Sequence, residues 1–268
     1  MIKIIASDLD HTLLREDHTL SPKTADLLKR LHQLGIKVVL ASGRPVPGLT
    51  DLNNQLALRQ PDDFSIYLNG ALVLDNYEGI SIFGRTLQAQ ALIELGQLAF
   101  QLKIPVEYIS TETVYSTTDF GKSNYASFAP ATMTFRYIKQ AAFKNDKPIY
   151  KVGFANTPDV IDAIQASINF SDISVTRSRR EFLEFMPRGV NKAVGLESIV
   201  AHLDYSADQV MAFGDEENDI EMLQYAGVSV AVANARNVVK TNAQYVTDSN
   251  EEDGVFRFLE KWFVDILK

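Results

Sequence analysis

Apolar runs too short for helices recur at both ends of this chain, and each breaks off at polar residues. Met1-Ile2-Lys3-Ile4-Ile5-Ala6 runs into Ser7-Asp8-Leu9-Asp10, and residues 37–41 run into Ser42-Gly43-Arg44-Pro45. Residues 64–68 run into Asn69-Gly70, and residues 210–213 into Gly214-Asp215. Such runs read as buried strands. Helical signals lie between them. Ser21-Pro22 is an N-cap followed by proline at the first helical position, Leu27, Leu28, Leu31 and Leu34 share one face, and Gly35 closes the helix. Helices are predicted at 191–202, 220–225 and 254–267, with a further strand at 228–232. Asn69-Gly70 before Ala71-Leu72-Val73-Leu74 reads as a hairpin turn. Strand–helix–strand alternation implies an α/β fold, a parallel sheet doubly wound with helices.

The middle of the chain has a different grammar. Between about 83 and 186, helices at 87–102 and 158–169 sit among strand candidates at 106–109, 114–117, 149–155, 173–176 and 182–186. That mixture predicts a separate α+β domain inserted into the sheet-forming one. Residues 118–146 fit neither pattern. Composition narrows the function classes. The 268 residues contain no cysteine, which excludes a thiol nucleophile, a disulfide and a thiolate-bound metal. A net charge of −8 argues against nucleic acid as the main partner. No run approaches the ~20 apolar residues of a membrane span, and the N-terminus lacks a signal peptide, so a cytoplasmic location with no membrane partner is expected.

The strand ends carry the chemistry. In a parallel α/β sheet, ligands bind beyond the carboxyl ends of the strands. Asp8, Asp10 and Asp215 form an oxygen-only set suited to Mg²⁺, which keeps several waters and takes phosphate oxygens as ligands. Lys192 adds a point charge at a helix start, and Ser42 with the Gly43 backbone can donate hydrogen bonds to a phosphoryl oxygen.

Taken in order, these residues resemble the haloacid dehalogenase superfamily of phosphohydrolases, in its Cof-type branch. Asp8-Leu9-Asp10-His11-Thr12 matches Asp-x-Asp-x-Thr, Ser42 the second motif, Lys192 the third, and Gly214-Asp215-Glu216-Glu217-Asn218-Asp219 matches Gly-Asp-x-x-Asn-Asp. Leu68-Asn69-Gly70-Ala71 and Ala233-Asn234-Ala235 resemble the branch as well. The resemblance implies roles. Asp8 would be the nucleophile and Asp10 the general acid, then base. Mg²⁺ would be held by Asp8, the Asp10 carbonyl and Asp215, with Asp219 in support. Ser42, Gly43, Lys192, Asn218 and the backbone around Leu9 would bind the phosphoryl group, and Arg44 and Asn69 are candidate substrate contacts. With 29 residues between Thr12 and Ser42 and about 150 between Ser42 and Lys192, the insert falls where a type IIB cap does. The implied organisation is a Rossmann-like core of 1–82 and 188–268, with 83–187 as a substrate-selecting cap that closes over the site.

The implied activity is Mg²⁺-dependent hydrolysis of small phosphorylated metabolites: sugar phosphates, nucleotides or phosphorylated cofactors. A phosphosugar mutase and a non-catalytic binding protein on the same scaffold are the alternatives. The substrate itself, and whether the protein is a monomer or a dimer, are not specified. His11 replaces the glycine of most relatives, and reads as a replacement tolerated at positive φ. His18, His32 and His202 have no partners at metal-ligand spacing and read as surface or ordinary helix positions. Trp262 reads as core.

Overall fold

The computed structural model describes residues 1–129 and 132–268. Its early elements are β1 Ile4–Ser7, α1 Pro22–Gln33, β2 Lys37–Ala41, α2 Thr50–Gln55, β3 Phe64–Tyr67, β4 Leu72–Asp75 and β5 Ser81–Gly84. Then come α3 Ala89–Leu102, β6 Glu107–Ile109, β7 Thr113–Thr117, β8 Thr134–Ile138, β9 Lys151–Ala155, α4 Pro158–Ser167, β10 Ile173–Arg179 and β11 Phe182–Pro187. The chain finishes with α5 Lys192–His202, β12 Val210–Gly214, α6 Ile220–Tyr225, β13 Val228–Ala231, α7 Asn237–Asn242, β14 Tyr245–Val246 and α8 Gly254–Trp262. Two compact units result. Met1–Ser42, Asp51–Phe83 and Asn191–Lys268 make the first, and Gly43–Thr50 with Gly84–Val190 the second.

The first unit holds an eight-stranded sheet in the order β14-β13-β12-β1-β2-β3-β4-β5. β1 is buried along its whole length and runs parallel to both β2 and β12. From this central pair the strand order proceeds to opposite edges, so the carboxyl ends of β1 and β12 flank a topological switch point. The doubly wound α/β class expected from the sequence is the class observed. β3 and β4 form the antiparallel hairpin expected around Asn69-Gly70.

Local signals explain the helices, with four corrections. Ser21 caps α1 by accepting the Thr24 amide, and Leu27, Leu28 and Leu31 are buried. Leu34, expected on the same face, is 53% exposed because the helix stops at Gln33 and Gly35 turns the chain at φ +87°. α8 stops at Trp262 instead of reaching 267, since Val264 and Ile266 are exposed and a further turn would bury little. Trp262 is also not core: 41% exposed, it stacks on Phe258 and meets Tyr245 of the edge strand. His32 is buried, its Nε2 2.7 Å from Asp63 Oδ1.

The second unit has a six-stranded sheet ordered β10-β11-β9-β6-β7-β8. Within the stretch 118–146, β8 pairs parallel to β7 at the sheet edge. Tyr108, Val152, Phe154, Leu183 and Phe185 meet Leu92, Leu95, Ile161 and Ile164 of α3 and α4 in one apolar core. At about 1.5–3 kcal/mol per fully buried large side chain, this core is the main source of the unit's stability.

A buried polar group on β6 works against that stability. Glu107 accepts a hydrogen bond from Ser116, yet its Oε2 has no partner among the described residues. Burial pushes its carboxyl from 4.5 up to about 7. The folded unit therefore holds this proton more tightly than the unfolded chain does. Stability is fullest below about pH 4.5 and is lost as pH rises to about 7. Glu107→Gln is expected to remove up to about 3 kcal/mol of that pH-dependent loss. Urea unfolding of both proteins at pH 5 and pH 8 measures it. Equal pH dependence in the two would show that Glu107 ionises freely.

Candidate active site

Four side chains converge at the switch point of the first unit, delivered by three local devices. Asp8 leaves β1 with its amide bonded to the Phe213 carbonyl at 3.0 Å, which seats it beside the end of β12. Lys192 opens α5, whose N-cap Asn191 accepts the Val194 amide at 3.0 Å. The hairpin turn packs on this helix start only because residue 70 is glycine. A Cβ there would lie 1.9 Å from the Asn191 carbonyl oxygen, and φ is +94°. Asp215 and Asp219 come from the loop after β12. Gly214 is the second such position, since a Cβ on it would sit 2.5 Å from Cβ of Asp219.

The bonding among these groups is dense. Lys192 Nζ donates to Asp8 Oδ1, and to Asp219 Oδ1 at 2.6 Å. Asp219 Oδ2 accepts the amides of Asp215 and Glu216 at 3.0 and 3.1 Å, so this carboxylate holds the loop and the lysine at once. Thr12 Oγ1 donates to Asp215 Oδ1 at 2.6 Å. Carboxylate oxygens of Asp8, Asp215 and Asp219 lie within 4.8 Å of one another, and all three residues are buried. Three carboxylates against one ammonium leave an excess of negative charge away from water. Burial raises Asp8 to about 7 although Lys192 pulls it down, and burial, Asp8 and Asp219 raise Asp215. Burial alone would lower Lys192, but Asp219 and Asp8 more than reverse that, so it stays an ammonium. A compact, all-oxygen, over-acidic set of this kind fits a hard divalent cation.

The other candidates divide between the two units. Asn69 sits in the left-handed region at φ +56° and shapes the turn, while its side chain accepts from Asn218 Nδ2 at 3.1 Å. Its amide donates to the Ser42 carbonyl at 3.0 Å, so Ser42, Asn69 and Asn218 form one connected row. Leu9 is buried, with its carbonyl accepting the Leu14 amide. Gly43 and Arg44 belong to the second unit. There Lys151 Nζ donates to the Gly43 carbonyl at 2.9 Å, and Arg44 donates to Gly48. Asp10 is half-buried and stands outside the three-carboxylate cluster. His11 has φ +63°, the left-handed conformation expected for it from the sequence.

Two participants had no role in the sequence reading. Thr12 stood in the first motif, but nothing in its spacing announced a bond to a residue 203 positions away. His18, read as a surface or ordinary helix position with no partner at metal-ligand spacing, is exposed and has Nδ1 3.0 Å from Asp10 Oδ1.

Known proteins place this arrangement. A family model described as haloacid dehalogenase-like hydrolase matches residues 5–259. A Streptococcus pyogenes protein, named a phosphatase without a substrate, is 30% identical over 98% of this chain and 99% of its own length. The 5-amino-6-(5-phospho-D-ribitylamino)uracil phosphatase YitU of Bacillus subtilis is 28% identical over 97% of each chain. The crystal structure of a haloacid dehalogenase-like hydrolase from Bacteroides thetaiotaomicron superposes with a TM-score of 0.88 at 26% identity, covering 98% of this chain and 100% of the other. The subclass IIB sugar phosphatase BT4131 shares the fold, with a TM-score of 0.82 at 22% identity over 97% and 98% of the two chains. The chain belongs to the haloacid dehalogenase-like hydrolases, in the Cof-type branch, and is a phosphatase of that family.

Proposed function

We propose that this phosphatase is a Mg²⁺-dependent hydrolase of small phosphorylated metabolites that works through an aspartyl-phosphate on Asp8. The observation that carries the reading is the buried contact of Lys192 with Asp8, beside Asp215 and Asp219. Asp8 attacks phosphorus through a carboxylate oxygen as the bond to the leaving oxygen breaks. Asp10 protonates that oxygen. Asp10, now a carboxylate, takes a proton from water as the water oxygen attacks phosphorus, and the bond to Asp8 breaks to release phosphate. Lys192 holds negative charge on the phosphoryl oxygens, with Ser42, Gly43, Asn218 and the backbone at Leu9 as donors. Mg²⁺, held by Asp8, the Asp10 carbonyl and Asp215 with Asp219 in support, would offset repulsion between the nucleophile and the phosphate dianion.

The names of the relatives guide the choice of substrates. The Bacillus subtilis relative is named for a phosphorylated ribityl side chain on a pyrimidine, and BT4131 for sugar phosphates. Phosphate release from sugar phosphates, ribityl phosphates, nucleotides and phosphorylated cofactors, with Mg²⁺ or with chelator, tests the reading. Turnover is expected on at least one class, falling by at least about 100-fold on chelation. Isomerisation that requires a sugar bisphosphate, without phosphate release, would establish a mutase instead. Tight binding with neither reaction would establish a binding protein.

A further inference from the structure

Asp10 carries the proton in both half-reactions of the proposed mechanism, so the direction of its carboxyl group matters. Lys192 bonds Asp8 and Asp219, Thr12 bonds Asp215, and the carboxylates grouped within 4.8 Å do not include Asp10. A side-chain bond to Asp10 comes from eight residues further along, where His18 Nδ1 lies 3.0 Å from Asp10 Oδ1.

The segment bearing His18 is built to present it. The Arg15 amide bonds the Thr19 carbonyl at 3.0 Å, and the His18 amide returns to the Arg15 carbonyl at 2.9 Å. Asp17 Oδ1 accepts from both the amide and the hydroxyl of Thr19, at 2.9 and 2.6 Å. This closed turn holds His18 at φ +62°, a left-handed conformation that residues with a side chain adopt only at a cost. Asparagine or glycine would adopt it at less cost. Half of the His18 side chain is solvent-exposed, so core packing does not account for its place in the turn.

We propose that His18 is a positioning residue of the acid–base carboxylate. Its Nδ1–H donates to Asp10 Oδ1 and fixes the direction in which the other carboxyl oxygen gives and takes the proton. The bond is available whether Asp10 is a carboxylic acid or a carboxylate, because Oδ1 accepts in both states. It needs only a hydrogen on Nδ1 of the imidazole. The proposal rests on the assignment of Asp10 as acid and base, and its test separates the two.

Three variants isolate the bond. His18→Gly removes the donor and suits the left-handed backbone. His18→Asn also suits that backbone and places an N–H near the position of Nδ1. Asp10→Asn removes the acid. Two substrates supply the contrast: an alkyl phosphate, whose leaving alkoxide needs a proton, and p-nitrophenyl phosphate, whose phenolate does not. Values of kcat/KM report phosphoryl transfer to Asp8, the step that uses the acid. His18→Gly is expected to lower kcat/KM for the alkyl ester by roughly 10- to 100-fold and for the aryl ester by less than about three-fold. His18→Asn is expected to recover most of the loss. In an Asp10→Asn background His18→Gly is expected to add less than about two-fold.

Equal losses on both esters, no loss on either, or a full His18 effect in the Asp10→Asn background would overturn the proposal. If Asp10→Asn discriminates between the esters and His18→Gly does not, only the role of His18 falls. If Asp10→Asn itself fails to discriminate, the acid–base assignment falls and the role of His18 with it.

Discussion

Asp8→Asn is expected to lower phosphate release by on the order of 10⁴-fold or more while leaving the protein folded. The amide nitrogen is not a nucleophile, and the remaining amide oxygen attacks phosphorus far less readily than a carboxylate. Folding should survive. Asp8 is buried and its carboxyl is raised to about 7, so a neutral isostere relieves a desolvated charge while its oxygen still accepts the bond from Lys192. The measurement has two parts. Steady-state phosphate release gives the rate loss, and acid-quenched enzyme analysed by peptide mass shows where the phosphoryl group rests. Wild type caught during turnover should carry one phosphoryl group on the peptide containing Asp8, and the variant none. Retention of more than about a hundredth of the rate would mean that water, not Asp8, attacks the substrate, and the aspartyl-phosphate would have to be abandoned.

Such an experiment could be designed from the sequence because the catalytic groups stand at breaks in apolar runs. A charged residue directly after a buried strand has few structural uses, and Asp8 and Asp215 each stand at such a break, as does the polar Ser42. The α/β class followed from the same alternation. What stayed hidden depends on contacts between residues far apart in sequence. Asp219 read as a supporting metal ligand, and nothing in its spacing announced that its oxygens also meet Lys192 and two loop amides. Periodicity placed Leu34 on the α1 face because it ignores where the helix ends. It placed Trp262 in the core because it cannot tell that α8 covers an edge strand, where its ring meets Tyr245. The Gly43–Thr50 segment packs with the second unit through bonds such as Val46 to Thr111 and Lys151 to Gly43, none of which has a local signal. His18 was passed over for the same reason: a hydrogen bond to one carboxylate leaves no spacing pattern.

Lys192→Met is expected to cost both catalysis and stability, and a second substitution separates the two. The side chain of Lys192 is wholly buried between Asp8 and Asp219. Removing one partner of a buried charge cluster costs about 3–5 kcal/mol, because the remaining charges lose both water and their counter-ion. Here three carboxylates would remain with no ammonium among them. Their sign of response follows from Asp8, which Lys192 at present pulls down. Without the lysine its carboxyl rises further, so the variant's stability should be greatest in acid and fall as pH rises through that higher value. Urea unfolding in chelator, between pH 5 and pH 8, measures the slope. Asp219→Asn added to Lys192→Met removes one of the stranded charges and keeps an acceptor for the loop amides of Asp215 and Glu216. The double variant should recover at least half of the lost stability. Turnover should stay depressed by about 10²–10³-fold, since no cation then faces the phosphoryl oxygens. If activity returned together with stability, Lys192 would be a structural counter-ion for Asp219, and charge stabilisation of the phosphoryl group would have to come from elsewhere in the site.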